Sequence, residues 1–286
     1  MPPSESRCPE LISIVVDGLS LAVWEWPGED PPLLFAHATG FHGRCWDQVI
    51  RQLPHRRRCL APEARGHGRS SKPSPPYHWP AFGLDLVRIA EQLKVAGAIG
   101  IGHSMGGYTV TSAAALRPAT FSKLLLLDPT IRRPETYGTQ PIDAGFIRKR
   151  RVRWPSPQAM LDSFSGRPPF DRWQRAVLRD YCDYGLLAQN GEYLLACPPE
   201  VEASIYECSK EAEASPHSVI PSIAQPVVVL RAGASGRPLF GDDPSPTDPQ
   251  LASRFPRGRD VLLPKHSHYI PMEDPDLVAE QIYGLL

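Results

Sequence analysis

The chain has 286 residues, enough for one large domain with an insertion or for two small domains, and enough to bury a substantial core. Lysine plus arginine and aspartate plus glutamate each number 31, so no global field favours nucleic acid or an anionic membrane surface. The six cysteines (Cys8, Cys45, Cys59, Cys182, Cys197, Cys208) are scattered without C-x-x-C pairs, which indicates neither a zinc site nor a disulfide framework and suits a reducing compartment. The basic runs HRRR (55 to 58) and RKRRVR (148 to 153) read as solvated faces or helix ends, so no nucleic-acid partner is expected. The first residues, MPPSESRCPE, lack the apolar core of a signal peptide, and no apolar run reaches the length of a membrane span. A soluble cytoplasmic protein is the expectation.

In chain order, short apolar runs predict eight strands. Six come early: LISIVV (11 to 16), LAVWEW (21 to 26), PLLFAHA (32 to 38), RCLAPE (58 to 63), AIGIGHS (98 to 104) and KLLLLDP (123 to 129). PVVVLRA (226 to 232) and DVLLPKH (260 to 266) follow much later. The first two, split by DGLS, predict a hairpin. From residue 32 onward, strands alternate with helical patterns at 80 to 95, 105 to 117 and 275 to 286, as a buried, mostly parallel sheet requires. Between 131 and about 220 the strand rhythm stops and the pattern reads as amphipathic helices broken by prolines. The expected organisation is therefore a core of residues 1–130 and 221–286, with a helical insertion at 131–220.

Three stretches carry chemistry. IGHSMGG (101 to 107) holds Gly102-His103-Ser104-Met105-Gly106, a G-x-S-x-G between a strand and a helix. A serine hydroxyl is a weak nucleophile unless a sharp turn exposes it to a base, and the glycines let strand and helix approach around that turn. FAHATGFHGRCW (35 to 46) follows the third strand; the backbone N–H of Thr39, with that of Met105, would hold the oxygen of a tetrahedral intermediate. His37 and His42 in the same stretch read as loop-fixing groups. LLPKHSHYIPMEDPD (262 to 276) offers His268 as the base for Ser104 and His266 as a structural neighbour. Their His-x-His spacing lacks a third and fourth ligand, so no metal and no cofactor are expected.

HATGFHGRCW, PEARGHGRS (62 to 70), GHSMGG and HYIPMEDP (268 to 275) together resemble the α/β-hydrolase superfamily, in its cap-bearing, esterase and C–C hydrolase-like branch. The resemblance implies an α/β fold with a mostly parallel eight-stranded sheet flanked by helices, and a helical cap entered after the sixth strand. Glu63 stands where the family usually has Asp, and Ser267 where the motif before the catalytic histidine has Gly. The family's usual acid follows the seventh strand, where this chain has Gly236. Asp128, at the end of the sixth strand, is the leading replacement, because strand ends at the carboxyl edge of a parallel sheet are rigid and face the crevice. Asp242 or Asp243, in the turn-rich GDDPSPTDP, is the alternative.

The expected activity is hydrolysis of a small or medium-sized carboxylic ester, thioester or lactone through an acyl-enzyme on Ser104. C–C bond hydrolysis of a diketone-like compound uses similar residues, and a non-catalytic ligand-binding protein of the same fold is the reading from another class. Trp154, Phe164, Phe170, Trp173, Tyr181 and Tyr184 either line an acyl pocket or form the cap's own core. Arg148, Arg150, Arg151 and Arg153 either recognise a carboxylate or are solvated.

Overall fold

The computed structural model describes residues 8–53, 57–233 and 245–286. Strands β1 (Glu10–Val16) and β2 (Leu19–Trp26) form the expected hairpin. Its two-residue turn places Asp17 and Gly18 at φ 48° and 81°, the left-handed pair that matches the twist of the flanking strands. β3 (Glu29–Ala36), α1 (Asp47–Gln52), β4 (Arg57–Pro62), α2 (Pro80–Gln92), β5 (Ala98–His103), α3 (Met105–Leu116) and β6 (Phe121–Leu127) follow. β3 ends at Ala36, so His37 and Ala38 lie beyond it in the loop rather than in the strand.

The stretch from 131 to 220 is not purely helical. Beside α4 (Gly145–Arg148), α5 (Pro157–Phe164), α6 (Arg175–Tyr184) and α7 (Pro199–Cys208) it contains β7 (Arg153–Trp154), β8 (Leu186–Gln189) and β9 (Glu192–Leu195). These form a three-stranded antiparallel sheet in the order β7-β9-β8. The β8–β9 turn is Asn190-Gly191, at φ 52° and 81°, a hairpin signal present in LLAQNGEYLL that the helical reading overlooked. β10 (Val227–Ala232), α8 (Leu251–Arg254), β11 (Gly258–Leu263), α9 (Ile270–Glu273) and α10 (Pro275–Tyr283) complete the chain.

The main sheet has eight strands in the order β1-β2-β4-β3-β5-β6-β10-β11, parallel from β4 to β11. Each inner strand is buried on both faces. Leu124 and Leu126 pack on the side of α2 and α3, while Leu125 and Leu127 pack with Trp46, Val49, Val278 and Ile282 on the side of α1 and α10. That is why KLLLLDP shows four consecutive leucines instead of an alternation. Among the described residues no helix is long and apolar enough to cross a membrane.

Register sets the site. In the β5–β6 pair His103 lies opposite Leu127, so Ser104 and Asp128, the next residue of each strand, leave the sheet side by side at its carboxyl edge. The Ser104 N–H donates to Leu127 O at 3.1 Å, and the Asp128 N–H to Leu230 O at 2.7 Å, which holds both strand ends.

Candidate active site

Ser104 occupies the turn from β5 into α3 with φ 56° and ψ −118°, a strained conformation for a residue with a Cβ. The turn is enforced by close packing on both sides. A Cβ on Gly102 would lie 2.3 Å from Gly106 O, and one on Gly106 would lie 2.0 Å from Ala36 O. Larger residues at these two positions would push β5, α3 and β3 apart.

The Ser104 side chain meets His268, on the loop after β11: His268 Nε2 is 2.9 Å from Ser104 Oγ, and His268 Nδ1 is 2.7 Å from Asp128 Oδ2. A carboxylate only accepts, so the proton sits on Nδ1 and Nε2 is left to accept from the serine hydroxyl. Thr130 then donates to Ser104 Oγ at 3.0 Å. Asp128 is fully buried, with φ 41°, and its other oxygen, Oδ1, accepts from the Ala232 N–H (2.9 Å) and Ser245 Oγ (2.6 Å), while the Thr247 hydroxyl, 3.2 Å away, donates to Pro129 O at 2.7 Å. Two donors on Oδ1 leave Oδ2 for the imidazole and offset part of the cost of burying the charge. Asp242, Asp243 and Gly236 lie outside the described residues.

Thr39 is buried in the loop after β3, the strand paired with β5, and Met105, the first residue of α3, follows Ser104 directly. Among the described residues neither backbone N–H has a hydrogen-bond acceptor, and the Met105 amide sits at the positive end of the α3 dipole. The Thr39 loop is built from histidines held neutral. Burial lowers the His37 pKa to about 4; its Nδ1–H donates to Ala38 O (2.8 Å) and its Nε2 accepts from the Ala64 N–H (3.0 Å). His67 of PEARGHGRS accepts from the Gly40 N–H at 3.0 Å, with its pKa pushed well down by burial. His42, lowered to about 3 by burial, donates to Tyr181 O at 3.1 Å and ties the loop to α6. Glu63, fully buried, accepts from Trp24 Nε1 (2.9 Å) and the Arg69 N–H (2.5 Å), so the longer acid still closes the turn after β4.

The loop of His268 is held from three sides. Glu273 accepts from the Ser267 N–H (3.1 Å), the Ser267 hydroxyl and Arg172 Nε (2.9 Å), so the serine that replaces glycine serves as a second donor to the motif's glutamate. His266 pairs with Asp274 at 3.2 Å, away from Ser104. His103 donates from Nε2 to the His268 carbonyl at 2.7 Å, and its ring lies 5.1 Å from the His268 ring. Burial holds His103 well below the ordinary histidine range, so it stays neutral. Sequence reasoning assigned no role to His103, Thr130, Ser245 or Thr247. The first stood inside the quoted GHSMGG, but nothing in a linear motif says which backbone carbonyl a side chain will meet.

The insertion lies over this edge. Trp154, Phe164, Phe170, Trp173 and Tyr181 belong to one cluster with Phe41 of the Thr39 loop and Tyr269 beside His268. Phe41 is 5.2 Å from Tyr181 and 5.6 Å from Trp173 between ring centroids, and Trp173 is 5.4 Å from Tyr269. Tyr184 stands apart, its ring under the Arg44 guanidinium at 3.8 Å. A small cleft runs between insertion and loop, lined by Gly40, Phe41, His42, Arg150, Tyr181 and Cys197 among others. The Glu202 carboxylate lies 3.0 Å from where a Cβ on Gly40 would stand, and it pairs with Arg150. Arg148 pairs with Glu200 (2.9 Å) and Glu207 (2.5 Å), Arg153 with Glu192 (2.5 Å), and Arg151 covers the Trp154 ring at 4.2 Å.

A parallel-centred eight-stranded sheet with a strained serine between strand and helix, and a histidine after the last strand, defines the α/β-hydrolase class. The chain belongs to it: the model of the alpha/beta hydrolase family matches residues 33–281. Esterase Rv0045c of Mycobacterium tuberculosis is 24% identical over 274 residues, 93% of this chain and 86% of that protein. The non-heme chloroperoxidase of Streptomyces lividans is 33% identical over 114 residues, 39% of this chain and only 41% of that protein's own length. Among solved structures, the thioesterase domain from the curacin biosynthetic pathway superposes with a TM-score of 0.76 at 17% identity, covering 97% of this chain and 99% of that one.

Proposed function

We propose that this protein is a serine hydrolase that cleaves small or medium-sized carboxylic esters, thioesters or lactones through an acyl-enzyme on Ser104. The hydrogen-bonded series from Ser104 through His268 to Asp128, at 2.9 and 2.7 Å, carries this reading. In it His268 takes the Ser104 proton as Oγ attacks the carbonyl, and Asp128 keeps the imidazole in the required tautomer. The Thr39 and Met105 amides receive the oxyanion; His268 protonates the leaving group; water then releases the acid by the same steps. A catalytically silent scaffold had one argument, the glycine at 236, and it weakens because His268 has an acid partner in Asp128. A relative that bears the name esterase supports the same direction.

Residues 131–220 act in this reading as a cap whose aromatic cluster packs against the Thr39 loop and the loop of His268. Covalent labelling tests the chemistry directly. A fluorophosphonate probe is expected to add one equivalent, at Ser104, and a folded protein that takes up none would remove the proposal. Charge is the second prediction. Arg150, the cation that lines the cleft, already has its carboxylate in Glu202, so a substrate carboxylate entering there would compete with Glu202 for the same guanidinium. Neutral chromogenic esters are expected to exceed matched esters with a free carboxylate on the acyl chain by about tenfold or more in kcat/KM. Equal or better use of the acidic ester would refute the neutral cleft.

A further inference from the structure

We propose that His78, Cys208 and Glu211 form a binding site for a borderline-soft divalent cation such as zinc, on the outer surface where α7 meets the segment leading into α2. Their ligand atoms all lie within 4.8 Å of one another, and His78 Nδ1 is 2.8 Å from Glu211 Oε2. His78 lies 130 positions before Cys208 and 133 before Glu211, so no linear spacing joins it to them.

The donor set is what distinguishes the site from an ordinary surface ion pair. An exposed histidine beside a carboxylate is common and worth little. A thiol as the third member converts the pair into the thiolate, imidazole and carboxylate combination that zinc prefers over magnesium or calcium. The scaffold is also pinned. Cys208 is the last residue of α7, and both neighbours of His78 are tied to the same helix: the Tyr77 N–H donates to Ser204 Oγ at 3.0 Å, and Trp79 Nε1 donates to Ile205 O at 2.8 Å. Tetrahedral coordination needs ligand separations of about 3.3 to 3.8 Å. The exposed His78 and half-buried Glu211 side chains can supply the small closure while Cys208 stays fixed.

Binding is a coordination step without redox change. The Cys208 thiol, pushed up to about 11 mainly by burial, releases its proton to solvent as the sulfur–metal bond forms. In the ion-free site the His78 Nδ1–H donates to Glu211; on binding, His78 carries its proton on Nε2 and offers the Nδ1 lone pair, and Glu211 turns from accepting the Nδ1 hydrogen to ligating the ion. Because the ion joins α7 to the segment before α2, it binds only the folded arrangement and raises the unfolding temperature.

The experiment uses the full chain, stripped with a chelator. Zinc titrated by calorimetry is expected to bind one ion per chain, with a rise in Tm that magnesium does not reproduce. Cobalt(II) is expected to give a thiolate charge-transfer band that C208S removes and C8S leaves unchanged. H78A, at an exposed position, is expected to weaken zinc by at least the roughly 10- to 100-fold that losing an outer partner of a metal site costs. Should C208S not fold, H78A and E211Q decide. Absence of 1:1 zinc binding, a charge-transfer band lost in C8S instead, or unchanged affinity in H78A and E211Q overturns the site. None of these readouts depends on hydrolase activity, so the site stands or falls apart from the proposed function.

Discussion

Ser104→Ala is expected to lower turnover of an activated ester by about 10⁶-fold with the fold intact. Alanine has the same Cβ, so it accepts the backbone conformation at φ 56° as serine does, and the glycines that shape the turn are untouched. What disappears is the nucleophile 2.9 Å from His268 Nε2. His268, Asp128 and the two amides remain, so a residual rate above that in water is expected from oxyanion stabilisation and binding alone. Steady-state hydrolysis of a p-nitrophenyl ester, with near-ultraviolet circular dichroism to check the fold, makes the measurement. An unchanged rate would dismiss Ser104 as nucleophile.

Asp128→Asn is expected to lower kcat by about 10⁴-fold, more than removal of one ordinary hydrogen bond would suggest. The reason lies in the other carboxylate oxygen. Oδ1 receives the Ala232 N–H and the Ser245 hydroxyl, and the backbone N–H has no freedom to become an acceptor. An asparagine at 128 must therefore keep its carbonyl there and turn its NH₂ toward His268. The imidazole then has to accept at Nδ1 and carry its proton on Nε2, where it can no longer take the proton of Ser104. Asp242→Asn and Asp243→Asn are expected to leave kcat within a small factor of the wild type. If either of these two abolishes turnover while Asp128→Asn does not, the acid belongs to the later loop.

The strands and the elbow were legible because each is written in local chemistry. Short continuous apolar runs bounded by turn residues are the pattern of strands buried on both faces, and KLLLLDP resolves into leucines that alternate between two cores. G-x-S-x-G is legible because steric contact excludes every larger residue at Gly102 and Gly106. The three-stranded sheet of the insertion was missed although Asn190-Gly191 announces its turn. Its strands are only two to four residues long, and proline-rich flanks made the segment resemble broken helices. The end of β3 was placed two residues late, because His37 continues an apolar-looking run while its ring is engaged in holding the loop.

By itself the sequence determined the class of fold and pointed to Ser104 and His268, since patterning and short motifs depend on contacts between near neighbours in the chain. It offered Asp128 and Asp242 or Asp243 as acids and could not bring any of them to the imidazole. Only the tertiary structure decided what meets what: the β5–β6 register sets Ser104 beside Asp128, and the β10 and post-β10 donors fill one carboxylate oxygen and leave the other for His268. The pairing of Arg150 with Glu202 and the approach of His78 to Cys208 and Glu211 are decisions of the same kind. Each joins residues dozens to more than a hundred positions apart, and no local propensity encodes a distance that only the packed sheet and its insertion close.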